Sequence, residues 1–321
     1  MTDLENAANI LKSGGVVAFP TETVYGLGAC ISAPAAVARI FEIKERPFFD
    51  PLIVHLAHAS WLAQIVDVPD TDRAIVDKFL SAFWPGPLTI LLPKKTSVAD
   101  IVTSGLEKVG VRVPAHPMAK ALLELVGQPV CAPSANKFGK LSPTTADHVR
   151  HQLGNAVDFI LDGGDCSVGV ESTVVQIENH RVQILRPGGV TSEALEAVLN
   201  EKVETVNAHH GKILAPGQVE SHYAPRTRLR ILSPGVAATS SKKKGLLAWN
   251  QPKVGYAAVE VLSPTSNMQE AAVRLFACLH RLDQLHLEVI EVEPVEEVGL
   301  GVAIMNRLKK AQATFQSHVE K

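Results

Sequence analysis

A short apolar run, Val16 to Phe19, ends at Pro20 and opens into Thr21-Glu22-Thr23-Val24-Tyr25-Gly26-Leu27-Gly28. The run has the length of a strand and stops at a residue without a backbone donor. The hydroxyl-rich turn that follows, ending in two glycines, presents polar side chains where the strand gives out. Small-molecule sites in α/β proteins are built at such strand ends. An ordinary connection between two elements has the same composition, so the two readings separate only if further polar segments of the same kind occur.

The rest of the chain alternates helical and strand-like periodicity, which predicts an α/β protein. Asp3 is the expected cap of a helix whose apolar residues Leu4, Ala7, Ala8 and Leu11 share one face, stopped by Gly14-Gly15. Ala33, Ala36, Val37, Ile40 and Phe41 mark a second helix, with Lys44 and Arg46 leaving its C-terminal end before Pro47. Further helices are predicted over 72–83, 118–126, 145–153 and 192–199, and strands over 52–56, 88–92, 109–113, 129–132, 159–161, 173–177 and 182–185. In Val109-Gly110-Val111-Arg112-Val113 the valines share one face, so Arg112 points away from the apolar layer. Past Glu201 the periodicity lapses, and the polar stretch running to Pro225 reads as a linker. The expected division is a catalytic domain over 1–200, a linker or lid over 201–226, and a smaller Rossmann-like α/β domain over 227–321.

With 46% hydrophobic residues in 321, the chain has ample material for buried cores. No apolar run is long enough to cross a bilayer, and Met1-Thr2-Asp3-Leu4-Glu5 is acidic where a signal peptide would be basic, so a cytoplasmic protein is expected. Cys30, Cys131, Cys166 and Cys278 are scattered, without the paired spacing of a zinc knuckle or a disulfide framework. A net charge of -2 argues against a protein devoted to gripping nucleic acid. The sequence also lacks a G-x-x-x-x-G-K-[ST] loop, a G-x-G-x-x-G after a strand, H-E-x-x-H and G-x-S-x-G. Any nucleotide phosphates would therefore be held by side-chain cations and hydroxyls.

Lys44 and Arg46 suit such a task, because a compact ammonium beside a forked guanidinium matches an anion with several oxygens. The same pair also fits a solvated helix end. A second strand-end loop, Pro133-Ser134-Ala135-Asn136, offers donors for phosphate or carboxylate, or is an ordinary capped turn. His148 and His151 stand three apart on a helix, as metal ligands can, but no third ligand accompanies them and an exposed face is the simpler reading.

Taken together, Lys44-x-Arg46 with Ser134-x-Asn136 resembles the K-x-R and S-x-N signature of the YrdC-like family, and Pro20-Thr21-Glu22-Thr23-Val24-Tyr25-Gly26 resembles that family's opening motif. Glu171-Ser172-Thr173 and Arg186-Pro187-Gly188 also fit that family, and His222-Tyr223-Ala224-Pro225 with the second domain is similar to its long, two-domain form. The resemblance implies a twisted, open sheet around a large basic cavity, and the synthesis of threonylcarbamoyl-AMP and pyrophosphate from L-threonine, bicarbonate and ATP for the t6A modification of tRNA. That reaction is a nucleotidyl transfer. It implies Thr23, His55, Arg112, Ala132 and Ser172 around threonine, and Arg46, Asp50, Lys108, Ser134, Asn136, Ser142, Arg186 and His222 around the nucleotide. Lys44, Arg46 and Arg186 would stabilise phosphoryl charge, with Mg²⁺ on the triphosphate. A downstream tRNA threonylcarbamoyl transferase complex is the implied partner. Two departures stand out: Asp50 occupies a position where Asn is common, and Ile304-Met305-Asn306-Arg307-Leu308 differs from the usual acidic-Arg pattern. Because carbamates lose carbon dioxide in water, the linker with His222 and Tyr223 is the expected lid. The rival readings are a double-stranded RNA or tRNA binding module using the same cavity, and a carbamoyl-transfer protein sharing the fold.

Overall fold

The computed structural model describes residues 1–206, 213–233 and 241–316. Part of the expected linker, 207–212, lies outside the described residues. The first ten strands are β1 Val17–Phe19, β2 Gly26–Cys30, β3 Ile53–His55, β4 Leu88–Pro93, β5 Lys108–Arg112, β6 Val130–Cys131, β7 Phe159–Ile160, β8 Thr173–Glu178, β9 Arg181–Arg186 and β10 Glu204–Thr205. They form one mixed sheet in the order β10-β9-β8-β4-β5-β3-β6-β2-β1-β7. Helices Pro34–Lys44, Asp70–Phe83 and Ala146–Leu153 bury apolar faces in one core with Val54, Ile90, Val109 and Val111, while helices Asp3–Lys12 and Pro117–Val126 bury theirs in another with Val17, Phe19 and Val130.

Three local expectations are corrected. The first helix is capped by Thr2, whose hydroxyl accepts from Glu5 N while Glu5 caps back, so Asp3 is its first residue. Gly26 and Gly28 are not turn residues; they belong to β2, antiparallel to β1 with Phe19 opposite Gly26. A Cβ on Gly28 would lie 2.7 Å from the Phe19 ring and 2.9 Å from Val130, so glycine is needed for close packing rather than for a bend. Finally, β10 falls where periodicity had lapsed, because its two residues pair in parallel with β9 and are too few to show alternation.

The second sheet is all parallel: β11 Leu229–Ile231, β12 Lys244–Ala248, β13 Ala258–Val261 and β14 Val289–Val292, in the order β11-β14-β12-β13. Helices Met268–Asp283 and Leu300–Gln316 pack on it through Leu275, Phe276, Leu279, Ile304 and Leu308. That core also takes in Val24, Leu141, Val170 and Tyr223, so the two sheets' units meet in one continuous apolar cluster. Gly169, at φ 77°, permits the approach: a Cβ there would sit 2.3 Å from Val273 Cα and 2.4 Å from Ala272 O of the facing helix. Gly169→Ala is expected to cost about 2 kcal/mol or more of stability through overpacking and backbone strain. Urea unfolding checks it, and an unchanged midpoint would contradict this contact.

Candidate active site

Strand ends and the linker line one open cavity. β3 and β5 run parallel with His55 beside Arg112, which sets both side chains at one rim. Ala132, just past β6, donates its N–H to Ile53 O at 2.9 Å and lines the floor beside them. Thr23 comes from the β1–β2 connection, Ser134 from the loop after β6, Glu171 and Ser172 from the entry to β8, and Arg186 from the end of β9. Pro216, Gly217, His222 and Tyr223 of the linker complete the wall. Among the described residues three arginines, Arg46, Arg112 and Arg186, face this space, against one acid, Glu171. The polar stretches that looked ordinary one by one thus converge.

The turn at the end of helix Pro34–Lys44 explains how Arg46 arrives there. Glu45 takes the left-handed conformation at φ 55°, sending the next residue inward rather than out to solvent. Arg46 donates through Nε to Asp50 O at 3.0 Å and through Nη2 to Pro51 O at 2.8 Å, with Asp50 Oδ2 2.9 Å away. Burial pushes the Asp50 carboxyl up, offset by Arg46 and Lys44, and neither of its oxygens has a well-aligned hydrogen-bond donor. Arg112 Nη1 donates to Thr23 Oγ1 at 3.0 Å and stands 3.7 Å from Glu22, whose other oxygen accepts from Ala115 N. Arg186 donates twice to Ser172 O, at 3.1 and 2.9 Å, once to Ser172 Oγ at 3.1 Å, and once to Pro216 O of the linker at 3.1 Å.

Five expected residues sit elsewhere than on the cavity wall, one of them Asp50, fully buried against Arg46. Lys44 is buried behind it, donating Nζ to Ser134 O and Asn136 O, each at 2.5 Å. It is therefore neither a solvated helix end nor a cation displayed to the cavity, but a clamp on the second polar loop. Asn136 holds that loop in turn, donating to Lys137 O and Lys140 O. Ser142 donates to Glu171 Oε1 at 2.5 Å and fixes that carboxylate from behind. Lys108 shares Arg112's face of β5, but four residues put it about 13 Å further along. There its Nζ lies 3.2 Å from Glu178, outside the cavity lining.

Sequence reasoning missed Glu171 as a lining residue and Arg307 as its partner. Arg307 Nε meets Glu171 Oε2 at 2.8 Å, although 136 residues separate them, and no spacing rule connects positions so far apart. The only signal was the unusual segment around Arg307 itself.

Among the described residues no three His, Cys, Asp or Glu side chains stand together as ion ligands, and the exposed face expected for His148 is corrected. His148 instead stacks on His280 of helix Met268–Asp283 with ring centres 3.9 Å apart, and His280 Nε2 lies 3.1 Å from Ser142 O. Burial, with neighbouring positive charge in the first case, brings His148 down to about 3 and His280 to about 4. His55 and His222 are also held well below the ordinary range, by burial first and then by Arg112 and Arg46 respectively. Unfolded histidines bind protons below about 6.5 while these folded ones stay neutral, so stability must fall as pH drops from that value towards 4. The melting temperature is expected to be at least about 4 °C lower at pH 5 than at pH 7.5. Scanning calorimetry checks it, and equal values would contradict the buried neutral imidazoles.

Two family models match the chain. One, described as telomere recombination and covering the Sua5, YciO and YrdC proteins, matches 9–188, and the other, the C-terminal domain of threonylcarbamoyl-AMP synthase, matches 190–313. The chain belongs to the Sua5/YrdC family. Relatives of the two-domain Sua5 kind match nearly end to end: the threonylcarbamoyl-AMP synthase of Pyrococcus abyssi is 41% identical over 95% of this chain and 92% of its own. That of Bacillus subtilis is 38% identical over 96% and 92%. The crystal structure of P. abyssi Sua5 complexed with L-threonine superposes with a TM-score of 0.88 at 38% identity, over 97% of this chain and 94% of the other. The Sua5 architecture, a large twisted sheet with a smaller α/β unit, is therefore that of this chain.

Proposed function

We infer that the protein is an L-threonylcarbamoyladenylate synthase, joining L-threonine, bicarbonate and ATP into threonylcarbamoyl-AMP with release of pyrophosphate, the first step of t6A formation in tRNA. The observation that carries this reading is the set of three arginines on separate walls of one cavity, among hydroxyls and neutral histidines. Arg112, beside Thr23 and Ala132, is suited to the carboxylate of threonine. His55 stays neutral there and adds no second charge. Arg46 and Arg186, on the Ser134 and Ser172 sides, are suited to the phosphates.

Threonine's amine adds to carbon dioxide derived from bicarbonate and loses a proton, giving a carbamate. A carbamate oxygen then bonds to the α-phosphorus of ATP as the bond to the β-phosphate oxygen breaks, and pyrophosphate leaves. The transferred group is an adenylyl group, which makes the enzyme a nucleotidyltransferase. No protein nucleophile is required; the task is to align two anions that repel each other, with fixed cations where charge accumulates. Mg²⁺ fits as a companion of the triphosphate: Asp50, ion-paired with Arg46, is a single buried carboxylate and not a protein cage, so the phosphates would supply most of the ion's ligands. The ion would screen phosphate charge. Among the described residues no helix is long and apolar enough to cross a membrane, and the four cysteines are free thiols; we place the reaction in the cytoplasm. Its product would pass to an enzyme transferring the threonylcarbamoyl group to tRNA.

Pyrophosphate release by the purified protein with ATP, Mg²⁺, L-threonine and bicarbonate, omitting each in turn, tests this. The expected result is release only when threonine and bicarbonate are both present. Release without threonine, or RNA binding without any release, would overturn it.

A further inference from the structure

Arg307 and Glu171 are 1% and 5% exposed, and they come from opposite units of the molecule. Arg307 stands on the last helix, yet its guanidinium ties three parts of the site together. Nε holds Glu171 Oε2 at 2.8 Å, Nη1 donates to Pro187 O at 2.8 Å, and the group lies 5.0 Å over the Tyr223 ring of the linker. Nη1 is steadied by Asn306 Oδ1 at 2.9 Å. Among the described residues Glu171 is the one acid lining a cavity built for anions, and it adjoins Ser172, whose carbonyl and hydroxyl aim Arg186.

A buried carboxylate beside Arg186 has two possible cationic partners. Paired with Arg307 and with Ser142, both of its oxygens are satisfied and Arg186 is left for the substrate. Without Arg307, Glu171 would draw Arg186 towards itself and place an unbalanced negative charge next to the phosphates. We propose that Arg307 is a positioning residue for the nucleotide, supplied by the second unit, which neutralises Glu171 and thereby keeps Arg186 directed into the cavity. This rests on the synthase reading and deepens it: the small α/β unit contributes charge balance to the chemistry as well as cover.

The test is steady-state pyrophosphate release by the full chain bearing Arg307→Met, Glu171→Gln, or both, with ATP varied at saturating threonine and bicarbonate. Arg307→Met is expected to lower kcat/KM for ATP by about 30-fold, as the loss of one partner of a buried pair does. Glu171→Gln removes the charge that needs balancing, so the double variant is expected to recover to within about 5-fold of Glu171→Gln alone. A purely structural role for Arg307 would give no such rescue. Arg307→Met should also gain activity as pH falls from 8 to 6, because the unpaired Glu171, facing Arg186, the Ser142 hydroxyl and the Tyr223 phenol, with Lys310 one turn beyond Arg307, then takes up a proton; the wild type should not. If Arg307→Met is insoluble, Arg307→Lys, which keeps the charge without the fork, is read in the same cycle. A double variant no better than Arg307→Met, or Arg307→Met with wild-type kcat/KM, would overturn the proposal. Failure of the synthase reading would appear separately, as wild-type protein that releases no threonine-dependent pyrophosphate.

Discussion

Arg186→Ala is expected to lower kcat/KM for ATP by at least about 100-fold, from the loss of charge-assisted contacts worth roughly 1.5–3 kcal/mol each. Three observations support so large an effect. Its guanidinium is buried and lines the cavity, so its charge acts where water cannot screen it. Its donors to Ser172 pre-set its direction before substrate arrives. Its donor to Pro216 O ties the linker to the same point, so truncation also loosens the wall that keeps water from the carbamate. Steady-state kinetics with ATP varied would show it, and values within about 3-fold of wild type would remove Arg186 from the phosphate site.

Lys44→Met is expected to act differently, destabilising the protein by about 3 kcal/mol as two buried carbonyls lose a charged donor. Those carbonyls belong to Ser134 and Asn136, the ends of the loop that supplies the Ser134 side of the cavity, and Phe138 N is bonded to Lys44 O at 2.7 Å from the other direction. The ammonium is already strained, since burial and then Arg46 push its pKa well below the ordinary value. Denaturant unfolding should therefore report the substitution more strongly than the KM for ATP does. A variant with wild-type stability and a greatly raised KM would mean that Lys44 meets the anion directly.

Most of the fold was legible because long helices and alternating strands are local patterns. Helix Pro117–Val126 shows its buried Ala119, Leu122, Leu123 and Val126 at helical spacing, and β5 separates its valines from Arg112 by simple alternation. What was not legible depended on distant partners. Gly26 and Gly28 look like a turn until Phe19 is placed across them, and β10 is defined only by its pairing with β9. At the site, residue type announced Arg46, Arg112 and Arg186, but the direction of each side chain was set elsewhere. The left-handed Glu45 turned Arg46 inward, while Lys44 faced the backbone of a loop 90 residues away. Glu171 and Arg307 are further apart still, and the unusual segment around Arg307 did not show which residue it would meet.

The central claim is the identity of the product. The wild-type protein would be incubated with ATP, Mg²⁺, L-threonine and ¹³C-bicarbonate, and the adenylates formed identified by mass spectrometry. The predicted result is threonylcarbamoyl-AMP carrying the label in its carbamoyl carbon, formed in step with pyrophosphate. An unlabelled adenylate, or pyrophosphate released with no threonine-containing product, would contradict the account.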